Sequence, residues 1–372
     1  MTGKTTIEWT WHPGYVGAVW NPTVGCTRVS AGCDNCYAFA LHDKRYAANL
    51  DAAFEIAASN GYRGARDSAL IGRVRERVPK MLPFPRQYDL PFSRVQLLPE
   101  RLDVPLRTRK PTCYFVDSMA DLFHEDVADI FIDRVFSAMS AAARHRFLIL
   151  TKRPERMREY LSLFRPSPSW DEFITRDGKP SNELDHGEML YHPGSFPLPN
   201  VWLGTSVEDQ AAADERIPHL LATPAAVRFL SCEPLIGPVD LSEGLQGWTV
   251  ESEHASNCNC EDVHNEWRTA ATCPVAVQVP APRLNWVIVG GESGPRARPM
   301  DLAWARSLVA QCRAAGVAVF VKQLGSKPIS HDAADWPGDE RDDGGQPKHL
   351  RESHGRDPDE WPEDLRVREW PL

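Results

Sequence analysis

Seven short apolar runs, each followed by polar residues and then by a helical pattern, constrain the fold most strongly. The predicted strands lie near Ala18–Val24, Cys113–Ser118, Phe147–Thr151, Val201–Thr205, Val227–Ser231, Trp286–Gly290 and Ala318–Lys322. Amphipathic stretches such as Asp126–His145 and Asp301–Gly316 lie between them, with Asp126 and Asp301 as expected N-terminal caps. Strands joined by helices in this way predict an α/β protein with a parallel sheet.

The number of βα units favours a barrel over a doubly wound sheet. No glycine-rich dinucleotide fingerprint follows the first predicted strand, which lowers the weight of a Rossmann fold further. We therefore expect a parallel (β/α) barrel of TIM type, complete or partial.

Two insertions interrupt the alternation of strands and helices. Residues 165–199 separate the third and fourth predicted strands, and residues 240–283 separate the fifth and sixth. Residues 326–372 are mainly acidic and rich in Pro and Gly. The expected organisation is a barrel over residues 1–325, with these two insertions, and a C-terminal extension over residues 326–372.

Charge and hydropathy bear on location and partners. No apolar run reaches the length of a membrane span and no signal pattern opens the chain, so we expect a cytoplasmic protein with no membrane partner. The net charge of -9 argues against a generally cationic nucleic-acid binder, although residues 63–110 are distinctly basic. In a reducing compartment, clustered cysteines are more often metal ligands or catalytic groups than disulfides.

Polar side chains stand where the predicted strands end, the edge at which parallel barrels carry their chemistry. The alternative is that they are helix caps and turn formers, since Ser, Asp and Glu are favoured at helix starts, but two lysines and three glutamates at one edge predict a site. The expected catalytic residues are Lys152, Glu208, Glu233 and Lys322, and the expected cofactor-binding residues are Ser118, Asp121, Ser206 and Glu292. Arg153, Cys232, Ser293 and Gln323 belong to the same predicted edge.

Three of the nine cysteines fall within "GCTRVSAGCDNCYA", directly after the first predicted strand. Cys26, Cys33 and Cys36 have the spacing C-x6-C-x2-C. One interpretation is a zinc site with a fourth ligand such as His42. The other is a [4Fe-4S] cluster with one open iron, at which a substrate or cofactor can coordinate. A disulfide is the weakest account because it would leave one thiol unpaired.

A second group of potential metal ligands lies in the later insertion. Within "HASNCNCEDVHNEWRTAATCP", Cys258, Cys260, His264 and Cys273 would form a zinc site, with His254 as a further donor. The alternative is a solvated loop with reduced thiols.

Seven blocks of sequence, in order, resemble a known family. They read "TTIEWTWHPGYVGAVWNPTVGCTRVSAGCDNCYA", "FVDSMADLFHEDV", "LTKRPERM", "VWLGTSVEDQ", "RFLSCEPLIGPVDL", "VIVGGESGPRARPM" and "VKQLG". The chain is similar to the phage-associated radical-SAM-like family of unknown function, over residues 5 to about 325. Its cysteine spacing is longer than the C-x3-C-x2-C usual in the wider superfamily.

The resemblance implies a barrel with a [4Fe-4S] cluster on Cys26, Cys33 and Cys36. It also implies binding of S-adenosylmethionine at the open iron, and reductive cleavage to methionine and a 5′-deoxyadenosyl radical that abstracts hydrogen from a substrate. The electron would come from a flavodoxin-type or ferredoxin-type reductant.

Two functions from different classes follow. The first is a radical S-adenosylmethionine enzyme that modifies an unidentified substrate, with a nucleic acid or a nucleotide as the natural guess. The second is a phage-associated protein that binds zinc or a structural cluster without radical chemistry and acts on nucleic acid or with a partner protein.

Overall fold

Seven parallel strands form one sheet in the computed structural model, which describes residues 5–162, 197–246, 282–332, 335 and 352–371. The strands, in chain order and in sheet order, are β1 (Val16–Trp20), β2 (Thr112–Val116), β3 (Arg146–Thr151), β4 (Val201–Ser206), β5 (Val227–Cys232), β6 (Trp286–Gly290) and β7 (Ala318–Gln323). All seven strands predicted from the sequence are confirmed, with ends that differ by one or a few residues. The sheet curls into a half-barrel.

Eight α-helices occur in the described part of the chain. They are α1 (Tyr37–Ser59), α2 (Ser68–Arg77), α3 (Val104–Arg107), α4 (Asp129–Ala141), α5 (Pro154–Ser162), α6 (Gln210–Ala222), α7 (Ser242–Gln246) and α8 (Leu302–Ala314). Two short strand pairs form separate two-stranded sheets: Thr23–Val24 runs antiparallel to Gln96–Leu97, and Met300–Asp301 runs parallel to Pro328–Ile329. None of these helices is long and apolar enough to cross a bilayer.

The strand order explains how the layers form. Consecutive parallel strands lie side by side from β1 to β7 without a reversal. Because βαβ crossovers are right-handed, connections that all advance in one direction place their helices on one face. A doubly wound sheet requires a reversal of strand order, so the prediction of a parallel α/β fold that is not doubly wound is confirmed. A closed barrel is not formed by the described strands, since β1 and β7 lie at opposite edges of the sheet.

Aromatic side chains fill the concave face of the sheet. Trp202, Phe229, Trp286 and Phe320 alternate along their strands with residues that face the helices, as the two-residue period of a strand requires. Trp9, from a 3₁₀ turn before β1, packs against this face, with its ring 4.8 Å from that of Phe115 and 6.2 Å from that of Trp286.

The C-terminal segment covers the β7 edge and also reaches the concave face. The amide of Val321 donates to the carbonyl of Val367 (2.8 Å), and the amide of Glu369 donates to the carbonyl of Val319 (3.0 Å). The Trp370 indole N–H donates to the carbonyl of Trp9 (3.1 Å). Both ends of the chain therefore complete the core beneath the sheet, and the edge strand is not left open.

Helix ends were predicted with mixed success. Asp301 caps α8 by accepting from the Ala303 amide, as expected, and Gly316 follows that helix at a φ of +64°. The expected cap at Asp126 is wrong, because α4 begins at Asp129 after Ala128, which provides no side-chain cap. The tight turn of residues 124–127, closed by the Val127 amide on the carbonyl of His124, holds Asp126 outside the helix.

The two predicted insertions lie mostly outside the described residues. This applies to residues 163–196 and 247–281, and therefore to the predicted zinc ligands Cys258, Cys260, His264 and Cys273.

Replacing Trp9 tests the concave core. Trp9→Ala should lower the free energy of unfolding by about 3–5 kcal/mol, because it removes a large side chain that is only 3% exposed. Trp11→Ala is the matched control: Trp11 is 41% exposed, and we expect a loss of about 1 kcal/mol or less. Urea unfolding measures both, and equal losses would contradict the packing described here.

Candidate functional site

The polar residues predicted to converge do lie together at the carboxyl edge of the half-barrel. Each follows or ends a strand of one parallel sheet, so neighbouring strands bring them to the same side. The three-cysteine segment, residues 25–36, lies at this edge as well, between the Thr23–Val24 strand and α1. We call this segment the cysteine loop.

The cysteine loop starts at a position that only glycine tolerates. Gly25 has a φ of +103°, and a Cβ atom there would lie 2.5 Å from the carbonyl oxygen of Arg94. The Gly25 amide donates to the carbonyl of Met119 (3.0 Å), and the Cys26 amide donates to that of Phe92 (2.9 Å). The loop ends where Tyr37 opens α1. Its three thiols are reduced and partly exposed.

A first contact point holds the loop at Cys26. Arg153 donates to the Cys26 sulfur (3.6 Å) and to the Thr27 hydroxyl (2.8 Å). Asp121 in turn pairs with Arg153 (3.2 Å) and accepts from the Thr151 hydroxyl (2.7 Å). Asp121 therefore positions the arginine that contacts the first cysteine.

Burial dominates the acidity of Cys26. It raises the pKa of the thiol to about 12, with Asp121 adding to the shift and Arg153 opposing it. The thiol is therefore neutral at pH 7 in the absence of another cation. A bound metal would provide the positive charge that stabilises the thiolate, since metal ligation requires the deprotonated form.

Glu208 forms a second contact point, in the middle of the loop. Its Oε1 accepts from the Gly32 amide (3.3 Å), and a Cβ atom at Gly32 would lie 2.9 Å from the carboxyl carbon. Its Oε2 pairs with Arg216 (3.0 Å) and with Lys152 (3.5 Å). Burial opposes ionisation, but these cations and donors outweigh it and hold the pKa of Glu208 below its ordinary value.

Glu292 forms a third contact point, beside Cys36. It accepts from the side-chain amide of Asn35 (3.0 Å) and from the Arg298 guanidinium (2.7 and 3.0 Å). Arg298 also pairs with Asp34 (3.5 Å). Burial again opposes ionisation, but Arg298 and Asn35 outweigh it and keep the pKa of Glu292 below its ordinary value. The loop is thus held by carboxylates that follow β2, β4 and β6.

The two predicted serines contribute mainly through their backbone. The Ser118 carbonyl accepts from the Tyr37 hydroxyl (2.7 Å), and its own hydroxyl donates to Asn21 (3.1 Å). The Ser206 carbonyl accepts from Arg216 (2.9 Å). Both residues therefore support the loop and its anchors.

Glu233 and Lys322 form the part of the site that is not used to hold the loop. The Lys322 ammonium lies 2.5 Å from Glu233 Oε1, and the Gln323 side-chain amide donates to the same oxygen (3.1 Å). Among the described residues, the second oxygen of Glu233 has no hydrogen-bond donor, and both side chains keep about a fifth of their surface exposed. A ligand at this edge can reach them directly.

Lys152 follows β3 and lies beside Glu208. Its ammonium nitrogen is buried, and within the described structure it has no hydrogen-bond partner; the Glu208 carboxylate is 3.5 Å away. Burial of an ammonium group without a full set of acceptors is costly. Lys152 is therefore a donor that a bound polar ligand can use.

Several residues that shape this site left little trace in the sequence. Arg216 lies inside α6 and pairs with a carboxylate that precedes the helix, so only the fold shows its role. Asn35 and Arg298 are polar residues in polar segments, and no local pattern marks them. Arg153, in contrast, was expected at this edge because it follows β3 directly.

Whether the cysteine loop fits a metal centre depends on whether the centre is a single ion or a cluster. In the part of the chain that the structure describes, no three Cys, His, Asp or Glu side chains are close enough to hold a single metal ion. The arrangement therefore does not match a preformed tetrahedral zinc site. A four-iron cluster takes each thiolate on a separate iron, so it suits three sulfurs that are spaced along one loop.

The fold and the site define a parallel α/β half-barrel with three reduced cysteines at its carboxyl edge. The chain belongs to an uncharacterised family, described as "Protein of unknown function (DUF5131)", whose model matches residues 4–360. Searches of curated proteins and of solved structures gave no significant match.

Glu208→Gln tests the second contact point. The change removes the counter-charge of Arg216, which is only 3% exposed, so we expect the free energy of unfolding to fall by about 3–5 kcal/mol. Glu215→Gln, an exposed carboxylate on the same helix as Arg216, should change it by about 0.5 kcal/mol or less. Similar values for the two variants in urea unfolding would argue against a buried ion pair.

Asp117 provides a pH test at the start of the same edge. It is buried at a φ of +57° and accepts from the amide (3.0 Å) and hydroxyl (2.8 Å) of Thr23. Burial raises its pKa to about 7, although the Thr23 donors oppose the shift. The folded state therefore binds this proton more tightly than the unfolded state, and the group's contribution to stability falls as the pH rises from about 4 to 7.

Asp117→Asn removes this titration. As the pH rises from 4 to 8, the wild type should lose stability that the variant keeps. The unfolding free energy of the variant minus that of the wild type should therefore increase by on the order of 1–4 kcal/mol. Urea unfolding of both proteins across this range gives the difference. A difference that does not change with pH would show that Asp117 has no raised pKa.

Proposed function

We propose that this protein is an iron–sulfur enzyme of the radical S-adenosylmethionine type, with a [4Fe-4S] cluster on Cys26, Cys33 and Cys36. One observation carries the proposal: three reduced cysteines in one loop lie at the carboxyl edge of a parallel half-barrel, and side chains from separate strands hold that loop. The resemblance of the seven sequence blocks to a radical-SAM-like family supports it.

A cluster with one open iron supplies a coordination site for the amino and carboxylate groups of S-adenosylmethionine and an electron for its reductive cleavage. The electron would come from a flavodoxin-type or ferredoxin-type reductant.

The protein's own residues perform the remaining tasks. Arg153 lies against the Cys26 sulfur and favours its thiolate. Glu208 and Glu292 hold Gly32 and Asn35, and so fix the path of the loop between the cysteines. The aromatic core under the sheet excludes water from below. Glu233 and Lys322 remain available to bind a polar group of the ligand or to exchange a proton with it.

A nucleic acid or nucleotide is the proposed substrate class. Support comes from the basic stretch that precedes β2, where Arg63, Arg77 and Lys80 are exposed on and around α2. Helix α2 packs on α1, the helix that begins directly after Cys36. A phosphate-bearing substrate that extends along α1 from the cysteine loop can contact these cations, because α2 packs on the later turns of that helix.

Anaerobic reconstitution with iron and sulfide tests the cluster. Electron paramagnetic resonance of the reduced protein should show a [4Fe-4S] signal that shifts when S-adenosylmethionine is added. Cys33→Ala and Cys36→Ala should abolish the signal. Cys113→Ala, which removes a thiol buried under the sheet, should leave it intact.

The contrary result is a colourless protein that holds only stoichiometric zinc after reconstitution. That outcome would replace the radical proposal with the second function, a metal-binding protein without radical chemistry.

A further inference from the structure

The C-terminal segment reaches the carboxyl edge of the sheet, beside Glu233 and Lys322. The Leu324 amide donates to the carbonyl of Gly355 (2.8 Å), and the Ser326 hydroxyl donates to that of Ser353 (2.6 Å). Gly355 has a φ of +63°, and a Cβ atom there would lie 2.4 Å from the carbonyl oxygen of Gly325. The segment is therefore seated closely on the residues that follow β7.

Glu352 organises this segment into a turn. Its Oε2 accepts from the backbone amides of His354 (3.0 Å) and Arg356 (2.8 Å), and its Oε1 contacts the His354 ring (3.1 Å). The backbone of Arg356 is thus fixed by Glu352, and this fixes the point from which the arginine side chain extends.

Gln323 determines how the Arg356 side chain is held. Its amide nitrogen donates to Glu233 Oε1 (3.1 Å) and to the carbonyl of Gly291 (2.9 Å). Both N–H groups of the amide are therefore used, which leaves its oxygen as the acceptor for Arg356 Nε (3.3 Å). Because Gln323 is only 3% exposed, the amide cannot easily turn over.

This arrangement leaves the charge of Arg356 uncompensated. Its one side-chain contact in the described structure is a neutral amide, and none of the described carboxylates forms an ion pair with it. Arg356 is an exposed residue, and its guanidinium is a planar fork with further N–H groups that can donate. The nearby Glu233 carboxylate is already paired with Lys322. Glu352 is the other carboxylate beside Arg356, and its oxygens contact the His354 ring and the amides of His354 and Arg356. The Arg356 guanidinium therefore has no carboxylate partner in the described structure.

We propose that Arg356 binds an oxyanion group, phosphate or carboxylate, of a ligand at this edge, with Lys322 as the neighbouring cation. A guanidinium fork matches both groups because it can donate two parallel hydrogen bonds. The assignment of this oxyanion to the substrate rests on the proposed function, but the binding of the oxyanion requires no cluster. The C-terminal segment thereby becomes part of the site.

Ligand-detected NMR on the full-length, anaerobically purified protein tests the proposal. Inorganic phosphate and acetate are titrated separately at constant ionic strength, and their line widths report binding. We expect saturable binding of at least one of them, and the tighter binder identifies phosphate or carboxylate as the preferred group. Arg356→Gln should weaken that binding tenfold or more, and Arg356→Lys should weaken it less.

The variants separate a specific effect from a general one. Glutamine at position 356 still offers an amide donor to Gln323, so the turn can remain docked, which circular dichroism and the thermal midpoint will check. Arg313→Gln makes the same change of charge at an exposed position near the end of α8, and it should bind like the wild type. Equal affinity in Arg356→Gln and wild type, or no saturable binding by the wild type, would overturn the proposal.

The result is independent of the test for a cluster. Loss of anion binding in Arg356→Gln, together with a protein that takes up no iron, would keep the anion site and reject the radical enzyme. A cluster signal that responds to S-adenosylmethionine, together with unchanged anion binding in Arg356→Gln, would support the radical enzyme and reject the anion site.

Discussion

The order of the seven strands is the constraint on which the rest of the structure depends. Because the strands follow one another across the sheet without a reversal, right-handed crossovers put the helices on one face. The other face carries large aromatic side chains that no crossover helix covers. Trp9 and Trp370, from opposite ends of the chain, cover it instead. The same order brings the polar strand ends to one edge, so core and site have a common origin.

At that edge, similar carboxylates have different tasks. Asp121, Glu208 and Glu292 use their oxygens on the cysteine loop or on the arginines that hold it, whereas Glu233 keeps one oxygen available. Buried ion pairs of this kind add little net stability, because desolvation offsets most of the attraction. Their benefit here is positional, since each pair fixes one point of a loop that lacks regular structure over most of its length.

The C-terminal segment contacts both the concave face of the sheet and its carboxyl edge. Near Trp370 it packs under the concave face, and near Arg356 it lies at the carboxyl edge. Between these points it pairs with β7. Backbone contacts of this one segment therefore join the aromatic core at the β7 edge to the residues beside Glu233.

The sequence by itself determined the class of fold, the seven strands and the edge at which polar residues collect. The strands follow from apolar runs of strand length, which are local patterns in the sequence. The polar edge follows from the topology, because parallel strands all end on the same side of the sheet. The position of the three cysteines directly after the first predicted strand placed their loop at the same edge. The cap at Asp126 was not, because a turn that involves His124 competed with the helix.

Only the tertiary structure decided which polar residue does what. Glu208 and Gly32 are 176 residues apart in the chain, and Asn35 and Glu292 are 257 apart, so neither contact leaves a periodic signal. The same holds for Arg356, whose role depends on the orientation of one buried amide on β7. Residue type and spacing identified the groups that can carry chemistry, but their partners are set by packing between segments that are distant in sequence.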